Sequence, residues 1–415
     1  MSAVEDRDPD EAPVGVRRLL GGVRPDGRAV SAAEHVRIHG PLPFVGRELV
    51  AELQSSGLRG RGGGAFPAGD KLAAVAAQDG RPVIVVNATE GEPASSKDRA
   101  LVGLVPHLVL DGAAAAASAL GARTVIVALA RHGGAVERGI LAPALRERRE
   151  KLDWQIASIA DGFVAGEETA LINALNGKAA KPAVKPPYPF ERGVAGAPTL
   201  VQNAETLAHV ALIARHGSQW FRSLGTEAEP GTALVSVSGV VARPGVYEIE
   251  FGTRISEVIA QAGGITEPIS AALVGGYFGG WTSDPDHRLT AAGGLGAGVV
   301  VAFPKTACGV RESARVTRFL AEQSAGQCGP CVHGLEALAA GVEQAAHAQG
   351  RDDRDRLERW AGQVAARGAC RHPDGVSRFV LSTLAAFEDE FTLHLRKGRC
   401  SGRDRAVLPT EAAYQ

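Results

Sequence analysis

The chain has 415 residues, 45 Lys+Arg against 46 Asp+Glu, and a formal net charge of −1. A near-neutral chain without a basic run does not point to a nucleic-acid partner, and its length suits roughly two to four domains, each able to bury a core. Its five cysteines (Cys308, Cys328, Cys331, Cys370, Cys400) read as ligands or free thiols of a reducing compartment rather than a disulfide framework.

Residues 1–40 are polar and rich in Arg, Asp, Gly and Pro, which predicts a flexible N-terminal arm. Met1–Pro13 lacks the basic stretch and apolar core of a signal peptide. A helical turn or two is expected at Glu48–Leu53, then a glycine-dense loop over Gly57–Gly69 and a helix over Asp70–Gln78. The β-branched run Val83-Ile84-Val85-Val86 predicts a buried strand over Pro82–Val86. An alanine-rich helix at Leu108–Leu120 follows. It is the most apolar stretch, but it is short and carries Asp111, so no membrane span is expected. A cytoplasmic location, at most peripheral to a membrane complex, is the corresponding expectation. Strands at Thr124–Leu129 and Trp154–Ile159 and a helix at Gly166–Leu175 continue an alternation typical of a mostly parallel α/β sheet.

Composition shifts at Lys178–Pro198, a proline-rich segment read as an ordered extended loop or a linker. From Ala233 the pattern has period two, with a Pro244-Gly245 turn between apolar runs, which predicts a hairpin. A helix at Ile255–Ala262 completes a small β-grasp-like module at about 232–285. After Cys308, helices are expected at Val310–Ser324, Leu335–Ala348, Asp353–Arg367 and Val376–Leu395, a bundle that holds the cysteines. The fold class is thus an α/β domain, a small β-grasp domain and a C-terminal helical bundle. The expected boundaries are 1–40 arm, 41–230, 231–300, 301–398, and 399–415 tail.

Three motifs carry chemistry. Arg59-Gly60-Arg61-Gly62-Gly63-Gly64-Ala65-Phe66-Pro67 runs into a helix, so bare amides and a helix N-terminus can approach a phosphate, with Lys71 in the first turn to pair with it. The bland alternative is a flexible loop. Asn87-Ala88-Thr89-Glu90-Gly91-Glu92-Pro93 follows the carboxyl end of a strand, where α/β sheets bind ligands; the alternative is a solvated acidic turn. Gly166-Glu167-Glu168 opens a helix, and its carboxylates suit either ribose hydroxyls or the helix dipole. Near the C-terminus, Cys328-Gly329-Pro330-Cys331 with the distant Cys370 suggests iron–sulfur or zinc ligation.

Taken together, GLRGRGG, NATEGEP with KDR, GEETAL, KPPYP, PTLVQNAET and SAGQCGPC, in that order, resemble the NADH-binding flavoprotein subunit of respiratory complex I, the F or 51-kDa subunit, and related NAD-linked diaphorase subunits. The resemblance covers about residues 40–395. It implies FMN in the α/β domain, NADH stacked on it, and a [4Fe-4S] cluster in the bundle. It implies that Gly60, Gly62, Gly63 and Lys71 cradle the FMN phosphate, and that Asn87, Gln202, Asn203 and Thr206 hold flavin and ribityl groups. Glu90 and Gly166 belong to the same nucleotide loops. Glu92 would face the nicotinamide, Glu167 and Glu168 would bind nucleotide hydroxyls, and Phe66 and Tyr188 would wall the NADH. Cys328, Cys331 and Cys370 would ligate the cluster, the small module would resemble an SLBB domain acting as a spacer, and the electron acceptor would be a ferredoxin- or thioredoxin-like iron–sulfur partner.

The chain departs from the family pattern in the reversed order of Gly64-Ala65, and at Thr89, Phe163, Ala183 and Gln202, as a divergent paralogue would. Ala325 stands where the family places a cluster cysteine. An FMN diaphorase with an incomplete cluster and a non-catalytic scaffold are the alternatives. A pumping ferredoxin:NAD oxidoreductase subunit should carry two C-x-x-C-x-x-C-x-x-x-C-P runs, and none is present.

Overall fold

The computed structural model describes residues 17–347, 354–397, 399–400 and 402–410. Residues 1–16 of the expected arm and 411–415 of the expected tail lie outside the described residues. From residue 17 onward the arm is not loose. Leu19 is fully buried, its N–H donates to the Glu248 carboxylate at 2.8 Å, and Arg18 lies over the Trp220 ring. The reason is compositional: polar as the segment is, Leu19 and Val30 supply apolar anchors to the core.

Three helices enter the first domain: α1 (Ala32–His39), α2 (Glu48–Ser56) and α3 (Ala68–Ala76). Then come β1 (Val83–Ala88), α4 (Lys97–Leu104), α5 (Pro106–Leu120), β2 (Thr124–Ala130), α6 (Ala135–Glu147), β3 (Asp153–Ile159), α7 (Glu168–Leu175), β4 (Thr199–Asn203) and α8 (Ala204–Arg222). The four strands are parallel in the order β3-β2-β1-β4. β1 is buried on both faces, as its β-branched run requires. The alanines and glycine of α5 let it lie against α8 so closely that a Cβ on Gly112 would sit 1.8 Å from Leu207 O. Asp111, on the same buried helix, is tied to His35, Arg148 and Arg215. α4, α6, β4 and α8 are not among the sequence expectations; α8 is nonetheless capped by a turn residue, since Asn203 accepts from Glu205 N at 3.1 Å.

The second domain has β5 (Thr232–Gly239) and β6 (Gly245–Glu250) as the expected hairpin, then α9 (Ile255–Gln261), β7 (Ile269–Val274), β8 (Gly280–Thr282) and β9 (Val299–Pro304). The sheet order is β6-β5-β9-β7-β8, with β9 parallel to β5. The sheet therefore runs past the expected limit near 285, because the strand that joins its two halves comes last in the chain.

The third domain comprises α10 (Gly309–Glu322), a π-turn at Pro330–Gly334, α11 (Leu335–Ala346), α12 (Arg354–Val364), α13 (His372–Ala386) and α14 (Glu388–Lys397). Among the described residues five helices replace the expected four, because the last splits at Phe387. That residue leaves helical geometry and turns its ring against Gly309, where a Cβ would come within 2.3 Å of it. The described part of the tail packs on this domain through buried Leu408, and Arg405 reaches the second domain to pair with Glu267 at 2.7 Å.

Among the described residues no single helix is long and apolar enough to cross a membrane. α4 and α5 meet that length and composition only as a pair bent by 95°, and α5 is core.

Candidate functional site

β1 lies between β2, which follows it, and β4, which returns from beyond β3. Strand order therefore reverses between β1 and β4, and a ligand crevice opens at such a point outside the strands' carboxyl ends. Asn87 and Asn203 sit at those two ends. The glycine-rich loop between α2 and α3 lies beside them: a Cβ on Gly62 would stand 3.4 Å from that of Asn203. The loop is closed by Gly60 N–H donating to Phe66 O at 2.8 Å, and it is pinned to α8 by Arg61 N–H donating to the buried Thr206 hydroxyl at 2.9 Å. Gly63 takes φ +90°, and around Gly64 nothing lies within 4 Å of where a Cβ would be. Ala65, in the reversed Gly-Ala pair, holds a left-handed φ of +47°. Bare backbone, open space, the N-terminus of α3 and a lysine in its first turn form a donor set that fits a phosphate-bearing group such as FMN.

Lys71 pairs with Glu168 at 2.5 Å, and Lys185 approaches the same carboxylate at 3.2 Å. Burial works against the Glu168 charge, but the two ammonium groups prevail and hold its pKa low. Glu167 is the N-cap of α7: one oxygen accepts from Thr169 N and Ala170 N at 2.8 and 3.0 Å. The helix-capping reading of Glu167 thus describes one of its oxygens, while the other faces Lys185 at 3.8 Å. Gly166 precedes the helix and has no room for a side chain, since a Cβ would lie 2.5 Å from Thr89 Oγ1. Its carbonyl accepts from Asn87 Nδ2 at 2.9 Å, which ties β1 to α7.

The two glutamates of the acidic turn differ. Glu90 takes φ +41°, and its side chain is buried and engaged by Ser95 Oγ, Asp98 N and Arg99 N, so it shapes its own turn. Glu92 reaches the second domain instead, accepting from Tyr277 N at 2.8 Å and from Ala94 N at 3.2 Å. Burial pushes its carboxyl up to about 7, partly opposed by these two amides. The small module thus touches the acidic turn through its Gly276-Tyr277 turn. A shallow cleft lies along the acidic turn, lined by Thr89–Pro93, Arg99, Gly133, Gly134 and Glu137.

Beneath the loops lies a charge network that the motifs contain but whose role sequence reasoning missed. Lys97 Nζ sits 2.9 Å from both Asp98 and Glu205, and those carboxylates hold its pKa up against burial. Asp98 accepts from Asn203 Nδ2 at 2.6 Å, and Glu205 accepts from Leu234 N at 2.8 Å. Arg61 is buried beside Glu205, and burial lowers its guanidinium to about 10. Gln202 is buried on β4, whereas Phe66 is 59% exposed, as is Tyr188 to 43%, its ring stacked on Phe190. Exposed aromatic rings suit a stacking ligand.

In the bundle, Cys328 and Cys331 Sγ lie 3.5 Å apart. Burial raises Cys331 to about 12, whereas backbone N–H groups of Ala369 and Cys331 overcome burial at Cys328 and lower it. Burial raises the Cys370 thiol, and the charges of Glu167 and Cys328 add to it. These three fit part of an iron–sulfur ligand set. Cys308, His394 and Cys400 form a separate group with ligand atoms within 4.8 Å of one another, the chemistry of a thiolate–imidazole cation site.

Three family descriptions match the chain: the Nuo51 FMN-binding domain over residues 53–212, the SLBB domain over 234–276, and the NADH-ubiquinone oxidoreductase-F iron-sulfur binding region over 311–394. The second F subunit of the NADH-quinone oxidoreductase of Rhizobium meliloti (strain 1021) is 33% identical over 380 residues, covering 85% of this chain and 90% of that one. The NADP-reducing hydrogenase subunit HndC of Solidesulfovibrio fructosivorans is 30% identical, covering 89% and 80%. A chain of the NAD+-reducing [NiFe]-hydrogenase in its H2-reduced state superposes with a TM-score of 0.77 at 31% identity, covering 87% of this chain; this chain spans 64% of that one. The chain belongs to the family of NADH-binding flavoproteins that includes the F subunit of complex I and the diaphorase modules of NAD-reducing hydrogenases. FMN and NAD(H) are its cofactors, with an atypical iron–sulfur-type site in the bundle.

Proposed function

We propose that the chain is the NADH-oxidising subunit of an NADH:acceptor oxidoreductase, in which hydride passes from NADH to FMN and electrons leave singly through an iron–sulfur centre to a protein partner. The bound flavin supplies the hydride acceptor and the conversion from two-electron to one-electron chemistry. The carrying observation is the glycine loop at the β1/β4 reversal, bare over Gly64 and flanked by Lys71. Gly60, Gly62, Gly63 and Lys71 take the flavin phosphate; Asn87, Gln202, Asn203 and Thr206 frame the ring and ribityl chain. Phe66 and Tyr188 flank the nicotinamide nucleotide, Glu92 orients its carboxamide, and Glu167 and Glu168 accept from ribose hydroxyls. Glu90 serves this site indirectly by fixing the turn that presents Glu92.

No side chain moves a proton to the reacting carbon; the protein aligns two rings and keeps water from them. The acceptor is an iron–sulfur partner protein, met in the cytoplasm or at the edge of a membrane assembly. A diaphorase without a cluster is a second reading, favoured by Ala325. Both are tested by anaerobic purification with flavin and iron quantified, followed by NADH titration at the flavin absorbance. Flavin bands that bleach with NADH are expected, together with bound iron. Flavin without iron selects the diaphorase, and a colourless chain indifferent to FMN and NADH overturns the proposal.

A further inference from the structure

We infer that the iron–sulfur centre of this chain is a three-iron, [3Fe-4S] cluster held by Cys328, Cys331 and Cys370 alone. The inference rests on the reading that residues 311–394 hold a cluster at all, and it concerns which one.

A four-iron cube presents one iron at each of four corners, and in its usual form each iron is held by a cysteine thiolate. The iron–sulfur region over residues 311–394 contains three cysteines. In a C-x-x-C-x-x-C loop the fourth would stand three residues before Cys328. That position is Ala325, a methyl group buried to 6% exposure, which offers no electron pair.

The remaining cysteines cannot reach the corner. Cys308 caps the N-terminus of α10, while Ala325 follows its C-terminus. At 1.5 Å per residue, 14 residues of helix separate the two by about 20 Å. Cys308 is also engaged where it stands, 3.2 Å from His394 Nε2 and grouped with Cys400. Of the two histidines near the cluster cysteines, His333 is exposed on the π-turn. His372 is buried, with Nε2 on Leu320 O at 2.8 Å, Nδ1 without a hydrogen-bond partner, and its ring edge-on to Phe163 and Phe278. Its backbone N–H is directed at Cys370. It therefore belongs to the corner that Cys370 already serves, two residues along the chain, and not to the corner left by residue 325. A cluster lacking that one iron needs three thiolates, and three are present. Such a centre still changes by one electron at a time, so it remains compatible with single-electron exit from a flavin.

The full-length protein, purified anaerobically and reconstituted with excess iron and sulfide, gives the test. Three irons and four sulfides per chain are expected, with a paramagnetic resonance signal in the oxidised protein that disappears on reduction. Ala325→Cys should bind a fourth iron and reverse that behaviour, silent when oxidised and paramagnetic when reduced, with flavin content unchanged. His372→Ala should keep the wild-type iron count and signal. Four irons in the wild-type protein, or a changed cluster in His372→Ala, overturns the inference; the wild-type measurement decides even where a variant fails to fold. Flavin retained without iron defeats the three-iron cluster while sparing the flavin reading, whereas absence of flavin defeats that reading independently.

Discussion

Lys71, which the proposed function assigns to the flavin phosphate, is already paired in the structure. Its ammonium group is matched by Glu168, and Lys185 shares the same carboxylate, so a cation is stored beside the glycine loop without being stranded. On the proposed reading a phosphate would compete for Lys71, while Lys185 would remain to hold Glu168. A hydrogen bond to a charged group contributes about 1.5–3 kcal/mol, so Lys71→Ala should weaken FMN retention about tenfold to a hundredfold. Equilibrium dialysis of the flavin against the apoprotein measures this, and unchanged affinity would remove Lys71 from the phosphate site. The neighbouring glutamates make the same point in reverse. Glu90 and Glu92 are two residues apart, yet one is consumed by its own turn and the other projects to the second domain.

At the scale of elements, the site depends on how closely helices seat behind the sheet. α8 carries Thr206 at its start and Leu207 against Gly112 of α5, so the glycine loop inherits its position from the α5–α8 contact. A methyl group at residue 112 would lie 1.8 Å from a backbone oxygen, a clash that no rotamer relieves. Gly112→Ala is therefore expected to cost about 3 kcal/mol or more, read as a lower midpoint in chemical denaturation, and to loosen flavin through the displaced Thr206. A silent substitution would mean that α8 can shift without harm. α10 has a comparable role in the bundle, since its length keeps the Cys308–His394–Cys400 group away from the cluster cysteines.

Across the whole molecule, buried carboxylates join the domains, and they make stability depend on pH. Glu248 on β6 accepts from Leu19 N and Leu20 N of the N-terminal segment and from Thr232 Oγ1, and burial raises it to about 7. Unfolded, it would titrate near 4.3. Below that value both states hold the proton, and between the two values only the folded state does. Above about 7 both are ionised and the folded state bears the desolvation penalty. Stability from this group thus falls as pH rises from about 4.5 to 7, by on the order of 3 kcal/mol. Glu92, also raised to about 7, adds a slope of the same sign. Glu248→Gln should flatten part of the decline in urea midpoint between pH 5 and 8 and be more stable than the parent at pH 8. A parallel decline in the variant would show that Glu248 is not the titrating group.

Local chemistry was legible from the residues themselves. The β-branched run of β1, the β5–β6 hairpin, the glycine loop before α3 and the C-x-x-C needed only nearest-neighbour rules, because each is specified within about ten residues. Sequence alone also showed that Ala325 cannot ligate iron, since that is a property of a methyl group. The rest was settled by contacts between residues far apart in the chain. That β4 returns beside β1 and creates the crevice, that β9 bridges a sheet begun some sixty residues earlier, that Phe387 breaks a helix by filling the space over Gly309, and that Cys308 and Cys400 find His394 rather than the cluster loop are all tertiary facts. Side-chain burial and strand order are shared properties of distant segments, and no local pattern encodes them until those segments pack.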